Sequence, residues 1–296
     1  MVIKTLRQIV FHKMIKPTVF VDDIAADMSG PDDQIVKNLG GFIDIVAEFF
    51  KTNGLELSSK KSVCTASTRS LGKRLAARWK GIGIKFASKV KALGVGLGAG
   101  CRRNVEVLTK RLRTFAARTD RYRRLRKAGV DTARILRTGL RGMTYGQSVT
   151  GVSDTMLHRQ RVTAASMATP GESTCGQNVD LALVIADGSA TGRADPAYDA
   201  HLLPIGEWAL AAWEGWDNKV AMQRMVKNAL AKLRTARSPW HKCYGPAAAF
   251  VLTCWRLLWV VVDAVTVITD EGRTLHLLLD PPVVVQKECI LAPICT

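Results

Sequence analysis

The chain has 296 residues, 47% hydrophobic and 23% charged, with 43 Lys/Arg against 25 Asp/Glu and a formal net charge of +18. That length can bury the core of one or two domains, and that balance excludes a disordered polymer. Residues 51–150 hold 25 Lys/Arg and four Asp/Glu, a net +21 that leaves the remainder at −3, so the block predicts a polyanionic partner, nucleic acid ahead of a membrane surface, because glycines interrupt it and no aromatic belt flanks it.

Met1 to Lys16 mixes charges into its apolar positions and lacks a secretory leader pattern, so the expected location is intracellular, nucleus or cytoplasm. The seven cysteines are scattered with no CxxC, which suggests reduced thiols and not a disulfide framework. His241 and Cys243 form a lone HxC, weighed as zinc ligands against ordinary buried thiol chemistry.

Thr18-Val19-Phe20-Val21 followed by Asp22-Asp23 and Ile24-Ala25-Ala26 reads as strand, tight turn, strand, with two carboxylates at the tip. Adjacent like charges need a cation or basic neighbours to offset them, so the pair is a candidate divalent-metal seat. An ordinary solvated turn is the alternative. Gly30-Pro31-Asp32 starts a helix whose stripe is Ile35, Val36, Leu39, Phe42, Ile43, Val46, Phe49 and Phe50, closed by Gly54. Leu55 to Ala66 reads as strand, turn and strand, Ser70 to Lys80 as a short basic helix, and Ile82–Phe86 with Val90–Val95 as a second hairpin around Ala87-Ser88-Lys89. Gly94 to Gly100 lacks GxGxxG spacing and reads as a close-packed bend before it reads as a dinucleotide loop.

Arg102 to Lys127 reads as one long helix with a core stripe of Val105, Leu108, Leu112, Phe115, Tyr122 and Leu125. Its remaining faces are crowded with Arg and Lys almost without interleaved acids, which points to phosphate groups as their partner. Thr132–Leu140 and Ser153–Ala168 read as helices joined through Gly142 and Gly146. Residues 169–200 read as a linker, Ile205–Arg237 as helical with Trp208, Trp213 and Trp216 packing into a core, and 239–285 as apolar runs between turns. Ala247 to Ile268 is apolar but carries Arg256 and Asp263, so a buried helix or strand pair is expected there and not a membrane span.

The order of these elements resembles the second half of the palm and the thumb of a reverse transcriptase of the non-LTR retrotransposon (LINE-like) kind. Phe20-Val21-Asp22-Asp23 resembles that family's Y/F-x-D-D turn. Gly54 to Ser62 is similar to its GLxLNxxKT segment, with Lys61 matching the lysine placed near the leaving pyrophosphate. Leu93-Gly94-Val95 resembles the hairpin that grips the primer end, and Tyr145-Gly146 a YG pair in the helical region beyond. The resemblance covers about residues 15–150.

It implies an α+β fold: a partial palm over 1–100, a basic helical thumb over 101–168, a linker over 169–200 and a mixed region over 201–296. It implies RNA-directed DNA polymerase descent, with Mg2+ at Asp22 and Asp23 and Lys61 stabilising pyrophosphate. Leu93 and Gly94 would contact the primer. Lys91, Arg102, Arg103, Lys110, Arg111, Arg113, Arg118, Arg121, Arg123 and Arg124 would track an RNA template, DNA primer or hybrid duplex. The family's first metal-binding aspartate lies on an earlier strand, whereas none of the 21 residues before Asp22 is acidic. Two-metal transfer needs carboxylates that clamp both ions, so the expectation is a chain inactive by itself. The alternatives are a non-enzymatic, sequence-indifferent nucleic-acid-binding remnant and a protein that binds an acidic protein partner.

Overall fold

The computed structural model describes residues 14–20, 23–100, 103–168, 178–187, 192–216 and 218–291. The fold is α+β, with small sheets among many helices. Two compact units divide it: Met1–Val90 with Gly98–Cys101, and Lys91–Leu97 with Arg102–Thr296.

In the first unit, β1 (Ile15–Phe20) and β2 (Asp23–Met28) pair antiparallel with Phe20 opposite Asp23. The expected hairpin forms, with Val21 and Asp22 outside the described residues. Alternation sends Ile15, Val19, Ile24, Ala26 and Met28 into the core and leaves Lys16, Thr18, Asp23, Ala25 and Asp27 exposed. The hairpin shares that core with α1 (Asp32–Thr52), which buries Ile35, Leu39, Phe42, Val46 and Phe50 at steps of three and four. Gly54 ends α1 at φ +70°. The amides of Gly54 and Leu55 return to the carbonyls of Lys51 and Phe50 at 3.2 and 2.8 Å, the paired bonds of a Schellman cap.

The sequence reading of 55–95 is corrected in two places. Leu55 and Leu57 form no strand, and β3 is only Val63–Cys64, paired parallel with β4 (Lys85–Phe86). Parallel partners need a crossover, supplied here by α2 (Arg69–Arg78), which the Thr68 hydroxyl caps at the Leu71 amide. The Phe86 ring fits because residue 72 is glycine: a Cβ there would lie 2.1 Å from it. The true second hairpin lies later, β5 (Lys89–Ala92) with β6 (Val95–Gly98). The boundary between the units falls within this strand pair.

In the second unit the expected single arginine-rich helix is two, α3 (Glu106–Ala116) and α4 (Thr119–Lys127). The Thr119 hydroxyl takes the Ala116 carbonyl at 2.7 Å, the acceptor a continuing helix gives to residue 120. There follow α5 (Ala133–Thr144), α6 (Gln147–Thr150) and α7 (Asp154–Ala168). Gly142 therefore lies inside a helix and not in a connection. The stretch read as a linker contains α8 (Val179–Asp187) and the start of α9 (Pro196–Trp213). Helix α9 runs through Pro204, which costs the backbone bond to the carbonyl four residues back and is tolerated in this buried setting. Then come α10 (Lys219–Arg234), α11 (Pro246–Arg256), the antiparallel sheet of β7 (Val260–Val261), β8 (Thr266–Ile268) and β9 (Thr274–His276), and α12 (Pro282–Leu291).

Two main cores hold this unit. Leu112, Phe115, Tyr122, Leu136, Leu140 and Met143 meet Ala164, Met167 and Leu183 in one. In the other, Trp208 stacks on Phe250 with ring centroids 5.3 Å apart and donates to the Ala264 carbonyl at 2.8 Å. Trp208 is thus a core residue, whereas Trp213 and Trp216 are exposed. The apolar 247–268 stretch is the buried α11 and the strands after it, and no helix among the described residues is long and apolar enough to cross a membrane.

Candidate nucleic-acid interface

The turn between β5 and β6 is Leu93-Gly94, with φ of +45° and +82°. Positive φ at both central residues is the type I′ signature, which Asn-Gly or Gly-Gly adopts easily and leucine does not. Contacts within the second unit fix this turn. Tyr145 donates its phenolic proton to the Leu93 carbonyl at 3.0 Å. The Arg111 guanidinium lies 4.9 Å from the Tyr145 ring centroid and donates to the Tyr145 carbonyl. A Cβ on Gly94 would lie 2.8 Å from the Tyr145 ring and 2.9 Å from Arg111. A Cβ on Gly146, at φ +86°, would lie 3.3 Å from Val95 and 3.5 Å from Arg111. Leu93-Gly94 and Tyr145-Gly146, singled out separately in the sequence, thus meet around Arg111.

Beside this cluster lies an open cleft of about 250 Å³ between α3 and α5. Lys91, Lys110, Arg111 and Arg118 line it, Phe115 and Met143 form its apolar floor, and Gly139 and Gly142 face it from α5. No acidic side chain lines it. Two glycines in one helical turn each cost about 1 kcal/mol of helix propensity. Gly139 has a packing reason, since a Cβ would lie 2.9 Å from the hydroxyl of the buried Tyr122. Around Gly142 nothing lies within 4 Å, so its effect is to bare backbone at the cleft wall. The sequence reading put Gly142 in a connection, although two glycines spaced i, i+3 within a helical pattern were a usable signal.

Lys91, Lys110, Arg113, Arg118, Arg121 and Arg124 are exposed and make no ion pair among the described residues. Arg123 pairs loosely with Asp120 at 3.4 Å. Arg103 has a different role from the one expected: half-buried, it donates to the carbonyls of Thr150 (2.7 Å) and Gly151 and stacks 5.8 Å from Trp240. Burial lowers its pKa, and it anchors chain instead of facing phosphate. Arg126 similarly closes the C-terminus of α7 through the Met167 and Ser166 carbonyls. Arg102 lies outside the described residues.

In the first unit Asp23 is exposed at the start of β2, Asp22 lies outside the described residues, and Lys61 is exposed in the turn before β3. Asp27, the other acid on the outer face of β2, is about 13 Å further along the strand, too far to share an ion with Asp23. Among the described residues no group of three or more His, Cys, Asp or Glu is placed to hold a metal, at His241–Cys243 or elsewhere. The described donors do not fit a two-ion magnesium seat, and no transfer step is assigned to them. No family model, curated protein or solved structure matches the chain.

Proposed function

We infer that the second unit binds the phosphate backbone of a nucleic-acid duplex without reading its sequence, as the primer-holding and thumb portion of a reverse-transcriptase-like protein. The observation that carries this reading is the fastening of the Leu93-Gly94 turn to Tyr145-Gly146 and Arg111 beside an acid-free cationic cleft. Such a surface gains affinity by releasing counterions from phosphates, and the cleft lining holds no Asn, Gln or Glu, the side chains that read adenine and cytosine edges. Salt titration of binding to a 20-base-pair RNA–DNA hybrid tests it. With Z phosphates neutralised, log K falls against log salt with a slope of about −0.9Z, so five contacts give roughly −4 to −5. A flat dependence overturns the proposal. Primer extension by the purified chain above an Asp22→Ala, Asp23→Ala control would add the polymerase step to this reading.

A further inference from the structure

An acid-free basic stretch lies outside residues 51–150. Residues 218–262 contain eight Lys/Arg and no Asp or Glu. Helix α10 buries Met222, Val226, Ala229 and Leu233 along one side. At 100° per residue, Arg224 falls opposite that side and Lys227 and Arg234 lie about 130° and 110° round from it, and all three are exposed and in no ion pair among the described residues. Lys232 and Arg237 add exposed charge on the flank and beyond the C-terminus.

An ordinary solvated helix mixes signs, because like charges at i, i+3 and i, i+4 repel. A protein-binding face would be rich in aromatic and apolar residues and poor in lysine. Here Val220 is the one exposed large hydrophobic residue from 219 to 243 among the described residues. The helix is about 24 Å long, the rise of about seven base pairs at 3.4 Å each.

The stretch also runs into the interface already described. The short 3-10 turn after α10, Pro239–Lys242, carries Trp240 against the Arg103 guanidinium, and the His241 carbonyl accepts from the Arg103 amide at 3.3 Å. Residue 103 opens the segment leading into α3. Lys242 and His241 are exposed at that junction, where the segment after α10 touches the segment before α3.

We propose that Arg224, Lys227 and Arg234 on α10 form a second contact surface for the phosphate backbone of the same nucleic acid. The proposal rests on the reading above and is tested separately from it. The protein, its R224Q/K227Q/R234Q variant and a charge-matched K37Q/R159Q/K287Q control are titrated with labelled 20-base-pair hybrid across salt, with thermal unfolding checked for each. The expected result is a slope shallower by about two to three in the α10 variant, with affinity at least tenfold weaker at 0.1 M salt, and a change below one in the control. A steep wild-type slope with the α10 variant matching the control overturns this inference and leaves the first reading standing. A flat wild-type slope overturns both. Equal competition by polyglutamate at matched charge assigns the face to an acidic protein and overturns the nucleic-acid assignment.

Discussion

The Tyr145 phenol donates to the Leu93 carbonyl at 3.0 Å across 52 residues of sequence, and that carbonyl belongs to a leucine at φ +45°. A left-handed leucine costs roughly 1–2 kcal/mol. Leu93 is about half exposed, so burial returns little of that cost. Leu93→Asn is expected to create the favoured Asn-Gly type I′ turn and stabilise the fold by about 1 kcal/mol, a rise of roughly 2–4 °C in melting temperature. Calorimetry checks the stability and hybrid titration the function; weaker binding by the more stable variant would identify the leucine side chain as a contact.

The two cleft glycines should respond in opposite directions. Gly142→Ala adds a methyl group to open space and gains about 1 kcal/mol of helix propensity. Gly139→Ala sets a Cβ 2.9 Å from the Tyr122 hydroxyl, which bonds the Ile135 carbonyl and sits on a buried ring with little freedom to retreat; it is expected to lower stability. Chemical denaturation of both variants tests the pair. Gly142→Ala should also weaken hybrid binding if bare backbone is what the cleft offers a phosphate.

Arg161 is buried and forks onto both oxygens of Asp195 at 2.7–3.0 Å while also bonding Asp180. Burial opposes its charge, but the bonds and charges of Asp195 and Asp180 outweigh that and raise its pKa. Asp195 also accepts from the Ala197 amide at the start of α9. Asp195→Ala removes a cap and strands a buried cation, at an expected cost of about 3–5 kcal/mol. Urea unfolding measures it, and a loss under 1 kcal/mol would show the guanidinium finding other partners.

His201 is buried in α9 with an unpartnered Nε2. Burial first, then the charges of Arg256 and Arg161, lowers its pKa from 6.5 to about 3. Between those values the unfolded chain binds the proton and the folded one does not, so stability falls as pH drops from 6.5 towards 3. The slope from this residue is about 1.4 kcal/mol per pH unit. Unfolding at pH 6.5, 5.5 and 5.0 should show that decline, and His201→Gln should flatten it.

Much of the first unit was legible in the sequence. The alternation about Phe20 and the three-and-four spacing from Ile35 to Phe50 are strong periodic signals, and Gly54 sits where a left-handed cap demands it. The pairing of Val63–Cys64 with Lys85–Phe86 was not legible, because two-residue strands carry no alternation and a parallel partner lies across a helix. The break after Ala116 has no glycine or proline to announce it; a threonine hydroxyl makes it. Pro204 hid the start of α9, since proline argues against a helix interior. At the interface, the arginines and the Leu93-Gly94 and Tyr145-Gly146 pairs could be picked out one by one. Their meeting around Arg111 is a tertiary fact. The α10 face escaped notice because the net −3 outside residues 51–150 averages an acid-free stretch with acidic neighbours.

The crowding of unpaired arginines on α3 and α4 bears on how the unbound protein behaves. Each like-charged neighbour pair on a helix costs about 0.2–0.5 kcal/mol, and salt screens that repulsion. Raising ionic strength should therefore toughen the empty protein against heat while stripping it of nucleic acid, and an engaged polyanion should supply the same relief at low salt. Occupied and empty forms would then be most alike in a concentrated salt solution and most different in a dilute one.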